Sequence, residues 1–188
     1  MKNRTTMNKK FTCRLLVLSV MVLGGFALPI CHADQDLSDL CAGAWKGSFF
    51  MEKSHDKDRI RERGFSLVYR SSDDAGGKEG VLELTPSLDL TKCRALKFWV
   101  YSERPTPGTI TIALSSGVVE GKDNYFYYKM KSNFEGWKEV LVPLADFKKV
   151  REASWSNIAS VKLWDFSGNP VAKDTALYFN DMKLIQSE

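Results

Sequence analysis

The stretch Ala95-Leu96-Lys97-Phe98-Trp99-Val100-Tyr101-Ser102, the turn Arg104-Pro105-Thr106-Pro107-Gly108 and the stretch Thr109-Ile110-Thr111-Ile112-Ala113-Leu114-Ser115 decide the fold class. In the first, Leu96, Phe98 and Val100 fall on one side of an extended chain and Lys97, Trp99 and Tyr101 on the other. In the last, Ile110, Ile112 and Leu114 oppose Thr111 and Ala113. Strict period-two alternation in β-branched and aromatic residues specifies half-buried strands. The Pro- and Gly-rich turn predicts a hairpin between two long strands.

Outward from this centre the same grammar repeats. Further strands are predicted at Trp45–Met51, Gly64–Arg70, Gly80–Thr85, Asn124–Met130, Trp137–Val142, Ser160–Phe166 and Thr175–Ile185. Turn signals recur every ten or so residues, Asp73-Asp74-Ala75-Gly76-Gly77 being another clear case. This spacing marks an all-β, two-sheet antiparallel β-sandwich. The charged segment 54–63 reads as a loop or one solvated helical turn, and Leu144–Val150 as a short helix across a sheet edge. No internal repeat or low-complexity tract interrupts the pattern.

The N-terminus has the three parts of an export signal in order. Lys2, Arg4, Lys9, Lys10 and Arg14 form a positive region without an acidic residue, and Met7 offers a second start. Leu15 to Ile30 is apolar, broken by Ser19, Gly24, Gly25 and Pro29. Cys31-His32-Ala33 then places small residues before a cut at Asp34. At about 16 residues the apolar run is short for a membrane span. Ile30 before Cys31 argues against lipid modification. Residues 1–33 therefore read as a cleavable signal peptide and 34–188 as a single domain. The expected destination is the periplasm or the extracellular space, with no membrane span after cleavage.

Cleavage changes the chemistry of what remains. The signal carries five of the 27 basic residues and none of the 23 acidic ones, so a net charge of +4 becomes −1. No charge argument for nucleic acid or an anionic membrane survives. All five Trp and all six Tyr lie beyond the cut, which argues against disorder. Of four cysteines, Cys41 and Cys93 remain, and an oxidising compartment predicts a disulfide between them. Closing a loop of about 50 residues, it would contribute about 3–4 kcal/mol.

Alternation also nominates a binding surface. In residues 125–130, Phe126, Tyr128 and Met130 oppose Tyr125, Tyr127 and Lys129. In 160–166, Val161 and Leu163 oppose Lys162, Trp164 and Phe166. With the aliphatic faces inward, Trp99, Tyr101, Tyr125, Tyr127 and Trp164 point outward, where a sheet normally reads polar. Flat rings beside charged groups suit sugars: the apolar C–H face of a pyranose lies on a ring while polar side chains bond its hydroxyls. Lys129 and Lys162 join the candidate ligand-binding set. With Lys97, these lysines would also suit an acidic polysaccharide. The structural counterparts are cross-strand aromatic pairing that only stabilises a sheet, and covering of some rings by the loops or by the segment from Cys41 to Arg63.

Catalysis has little support. His55 is the one histidine beyond the cut, and it stands in the charged stretch Ser54-His55-Asp56-Lys57-Asp58. There is no nucleophile elbow, zinc-ligand spacing or phosphate-binding glycine loop. The Asp73/Asp74 pair does not identify a glycosidase without its geometry. Gly76-Gly77 beside it reads as a hairpin turn first and a calcium loop second.

A larger pattern emerges over residues 80–188. Leu96-Lys97-Phe98-Trp99-Val100-Tyr101-Ser102 is followed by Gly136-Trp137-Lys138-Glu139-Val140-Leu141-Val142-Pro143-Leu144-Ala145-Asp146-Phe147. Trp155-Ser156-Asn157-Ile158 and Leu177-Tyr178-Phe179-Asn180-Asp181-Met182-Lys183-Leu184 then complete the series. This order resembles the galactose-binding-like jelly rolls of bacterial carbohydrate-binding modules, of the family-eleven type and those attached to polysaccharide lyases. It also resembles the complex I intermediate-associated protein family. Gly136 would free the turn before Trp137, Pro143 would end its strand, Leu144 and Phe147 would fold back over the core, and Trp155 and Ile158 would plug the sandwich.

The resemblance implies a glycan on a concave face or loop rim, and a structural calcium ion near the chain ends, with Asp181 matching the C-terminal calcium carboxylate. The expected function is exported, non-catalytic polysaccharide binding, alone or with a partner glycan-active enzyme. The competing readings are a structural or assembly protein that docks another protein on its aromatic face, and a small polysaccharide-active enzyme.

Overall fold

A computed structural model describes residues 41, 45–47, 51–62, 64–70, 79–165, 171 and 175–187. The signal segment and the Asp73–Gly77 turn lie outside the described residues. The strands are β1 (Lys46–Gly47), β2 (Met51–Ser54), β3 (Ser66–Arg70), β4 (Glu79–Leu88), β5 (Cys93–Ser102), β6 (Thr109–Val119), β7 (Lys122–Lys131), β8 (Gly136–Pro143), β9 (Lys148–Val150), β10 (Ile158–Trp164) and β11 (Ala176–Gln186). They form two antiparallel sheets. One has six strands in the order β1-β4-β10-β6-β7-β9, and the other five in the order β2-β3-β11-β5-β8. The β-sandwich expected from alternation is the observed fold.

The core lies where the aliphatic faces meet. Leu96, Phe98 and Val100 from β5, Ile110 and Ile112 from β6, Leu163 from β10, and Leu177 and Phe179 from β11 have no exposed surface. The Phe98 and Phe179 rings pack at 5.8 Å. Burying such side chains contributes about 1.5–3 kcal/mol each. Trp155 stacks on Phe126 at 3.6 Å and meets Phe147 edge-on at 5.9 Å. Ile158, close to Trp155 in sequence, is fully buried. Gly136 has φ of +77°, which favours glycine at the entry to β8.

Four expectations change. First, the Arg104–Gly108 turn does not close a hairpin: β5 belongs to the five-stranded sheet and β6 to the six-stranded one. The connection crosses the sandwich and is pinned beyond the end of β7. Thr106 N–H donates to Ser132 O at 2.9 Å, and Ser132 N–H donates to Gly108 O at 3.0 Å. Second, the predicted strand Trp45–Met51 is two pieces, β1 against β4 in one sheet and β2 against β3 in the other. Third, 144–150 is a single 3-10 turn, Leu144–Asp146, followed by the edge strand β9.

Fourth, Cys41 and Cys93 are free thiols, not a disulfide. Cys41 is buried against the Met182 backbone, whereas Cys93 lies opposite Gln186. Those two points on β11 are four residues, about 13 Å, apart. A disulfide needs Cα atoms within about 7 Å.

Candidate functional site

Sheet assignment divides the five outward aromatic residues. Tyr125 and Tyr127 lie on β7 and Trp164 on β10, all on the outer face of the six-stranded sheet. Trp99 and Tyr101 lie on β5, on the outer face of the five-stranded sheet. Alternation says which side chains leave the core. It does not say from which of two sheets they leave.

On the six-stranded sheet, register sets the layout. β10 and β7 flank β6, with Lys162 opposite Ala113 and Ala113 opposite Tyr127. Thr111, Ala113 and Ser115 of β6 are small and almost completely buried, at 2%, 0% and 3% exposure. Their size leaves room for larger neighbours to lean across: the Tyr125 and Trp164 rings meet over β6 at 6.0 Å and 80°, edge to face. Tyr127 continues the strip at 6.1 Å from Tyr125.

Beside this ring pair is a hollow of about 300 Å³ lined by Glu79, Asp123, Tyr125, Lys162 and Trp164. The Lys162 ammonium lies 3.2 Å from Glu79 Oε1 and 3.3 Å from Asp123 Oδ2. Burial works against this ammonium. The two carboxylates overcome that cost and hold its pKa above the usual lysine range. The hollow thus combines two flat rings, a fixed cation and two carboxylates, a set able to stack on an apolar ring face and bond hydroxyl groups around it. Lys129 is exposed on the same face of β7, opposite Thr111.

Glu79 and Asp123 were not singled out from sequence. Asp123 shares the parity of Tyr125 and Tyr127, so alternation carried that signal. Glu79 reaches the site only through the register that sets it opposite Trp164.

The other face is occupied by the chain itself. Residues 55–62 and 64–65 belong to a strap containing the 3-10 turn Lys57–Arg59. The Arg61 guanidinium lies 4.3 Å above the Trp99 ring, and that of Arg59 lies 4.2 Å above Tyr101. Trp99 Nε1–H donates to Glu62 Oε1 at 3.2 Å. Tyr101 also packs edge-on against Trp137 and Tyr178. Lys97 is ion-paired with Glu139. His55 is exposed, with Nδ1 2.9 Å from Gly64 O, a contact that ties the strap to its own end. Covering by the segment between Cys41 and Arg63, one of the expectations for these rings, is thus found at Trp99 and Tyr101; no motif says which rings it takes.

Asp181 is the carboxylate on which the calcium expectation rests; the N-terminal end of the chain, where its partners were expected, lies outside the described residues. Asp181 occupies the β-bulge of β11 with φ of +52° and is 2% exposed. Its Oδ2 lies 2.7 Å from the Lys183 ammonium. Among the described residues no group of three His, Cys, Asp or Glu side chains comes together.

Comparison with known structures settles the architecture. A family 11 carbohydrate-binding module from Clostridium thermocellum, solved with a β-1,3-1,4-mixed-linked tetrasaccharide, superposes with a TM-score of 0.56 at 17% identity, over 77% of this chain and 88% of that one. A family 30 carbohydrate-binding module gives 0.59 at 14% identity, over 77% and 92%. The fold is that of the jelly-roll carbohydrate-binding modules. An agarase matches at a TM-score of 0.55 and 10% identity over 77% of this chain, but only 22% of the agarase takes part. No protein-family model and no curated protein sequence matches the chain.

Proposed function

We propose that this protein is an exported, non-catalytic polysaccharide-binding protein that holds its ligand on the outer face of the six-stranded sheet. Trp164, Tyr125 and Tyr127 stack on sugar rings, while Lys162, Glu79 and Asp123 bond hydroxyls around the hollow. The observation that carries this reading is the Tyr125–Trp164 ring pair poised over β6 beside the charged hollow. Preformed sites with a few placed polar groups are the usual form of small-ligand recognition. The jelly-roll likeness to carbohydrate-binding modules supports the same reading.

Trp99 and Tyr101 take a structural part here, since Arg61 and Arg59 cover their rings. The agarase likeness covers too little of that enzyme to favour catalysis, and exposed His55 serves a strap contact. Export rests on the three-part N-terminal segment.

The test is a titration of intrinsic tryptophan fluorescence and of heat against a panel of polysaccharides. Saturable quenching by a glycan, weakened about tenfold or more in Trp164→Ala and in Tyr125→Ala but not in Trp99→Ala, is the expected result. A blank panel together with a stoichiometric protein complex would transfer the aromatic face to docking. New reducing ends or unsaturated products would make the protein an enzyme.

A further inference from the structure

The lysines on the proposed glycan face differ in one respect. Lys162 is held between Glu79 and Asp123, so the hollow's own cation is already compensated. The two lysines at the β7–β9 end of the same face differ from it. Lys129 and Lys148 have no carboxylate partner among the described residues, although residues 34–188 as a whole carry a net charge of −1.

Register places these two around one ring. Tyr127 and Lys148 are direct cross-strand partners between β7 and β9, so their Cβ atoms are about 5 Å apart on the same face. Lys129 follows Tyr127 by two residues on β7, on that face and about 7 Å along the strand. A flat ring is therefore flanked by two uncompensated ammonium groups, in continuity with the Tyr125–Trp164 pair. A pyranose lying on Tyr127 presents the substituents at its rim toward both lysines.

We propose that the ligand is an acidic polysaccharide, whose carboxylate or sulfate groups are received by Lys129 and Lys148 while its sugar rings follow the Tyr127–Tyr125–Trp164 strip. This rests on the glycan-binding reading above and names its substrate class. A neutral glycan would use the strip and leave both lysines idle. Lysines also blunt exposed sheet edges. Among the described residues β9 is an edge strand and β7 beyond Tyr127 has no partner on that side, so edge protection alone predicts that both charges are irrelevant to binding.

The experiment titrates the full chain with polygalacturonate, a sulfated galactan and a neutral galactan at low and high ionic strength. Expected is at least about tenfold tighter binding of one acidic polymer than of the neutral one, the effect of two exposed ion pairs, shrinking as salt rises. The polymer preferred distinguishes carboxylate from sulfate. Lys129→Gln with Lys148→Gln should remove this preference while sparing neutral-glycan binding, and Trp164→Ala should weaken both. Equal binding of acidic and neutral polymers with Trp164 dependence retained would overturn the acidic assignment and leave the glycan reading standing. Binding of none of the three would overturn the assignment, and a blank wider panel would then remove the glycan reading as well.

Discussion

The side-chain oxygen of Asn180 accepts the backbone N–H of Glu62 at 2.9 Å, joining β11 to a strap 118 residues earlier in the chain. The same amide donates through Nδ2 to Phe65 O at 2.7 Å and lies 3.3 Å from Ser66 Oγ. Asn180 is completely buried. One side chain thus satisfies backbone groups on both sides of the strap and fixes Arg59 and Arg61 over their rings.

Replacing Asn180 with Ala should cost about 2–3 kcal/mol, because buried backbone groups lose their partner. Asn180→Asp should also destabilise, since its carboxylate would face the Phe65 carbonyl. Chemical denaturation measures the loss, and limited proteolysis should show new cleavage within 55–65. Unchanged stability in both variants would contradict the anchoring role.

Arg61→Ala should uncover Trp99. A cation–π contact of this kind contributes about 0.5–1 kcal/mol at an exposed position, so the change in stability is small. The clearer readout is optical, with red-shifted tryptophan emission and greater acrylamide quenching. The same variant should bind glycan with unaltered affinity, because the ligand face lies on the opposite sheet.

The Cys41 thiol has its pKa pushed up to about 11, chiefly by burial, from an ordinary value of 9.0. Above pH 9 the unfolded chain releases this proton and the folded chain keeps it. Stability is therefore complete below pH 9 and falls by up to about 3 kcal/mol as pH rises to 11. Cys41→Ala should flatten that part of the alkaline profile. Peptide mapping after alkylation at pH 8 should find Cys93 modified in the native protein and Cys41 modified only after denaturation.

Lys162→Met should destabilise by about 1 kcal/mol at neutral pH, because Glu79 and Asp123 lose their shared cation. In the wild type the raised lysine pKa stabilises throughout the neutral range, and the contribution disappears as pH climbs through that raised value. Lys162→Arg, which keeps the charge, should retain most of the stability.

Alternation was sufficient for the sandwich because it is a local property: Leu96, Phe98 and Val100 must share a face whatever they pair with. It assigned inward and outward sides correctly on β5, β6, β7 and β10. It could not assign sheets. Arg104–Gly108 has the same residue chemistry whether the chain doubles back or crosses over. The outcome depends on Ser132, a position beyond two further strands. For that reason the five outward aromatics were legible one at a time and not as two groups. The β9 edge strand was hidden for the same cause, and the covering strap was legible as a segment but not as to which rings it takes. Asp123 was visible in principle, whereas Glu79 and Lys148 depended on register.

The last strand of the chain has a consequence for the order in which the molecule can be made. β11 lies between β3 and β5, in the middle of its sheet. Until residues 176–186 have emerged, that sheet exists only as two unconnected strand pairs, β2 with β3 and β5 with β8. Phe98 then lacks Phe179 to pack against, and the strap lacks Asn180 to hold it. A ribosome releasing this polypeptide from its N-terminal end, or a channel passing it end first, handles a chain that can close only once its final strand arrives.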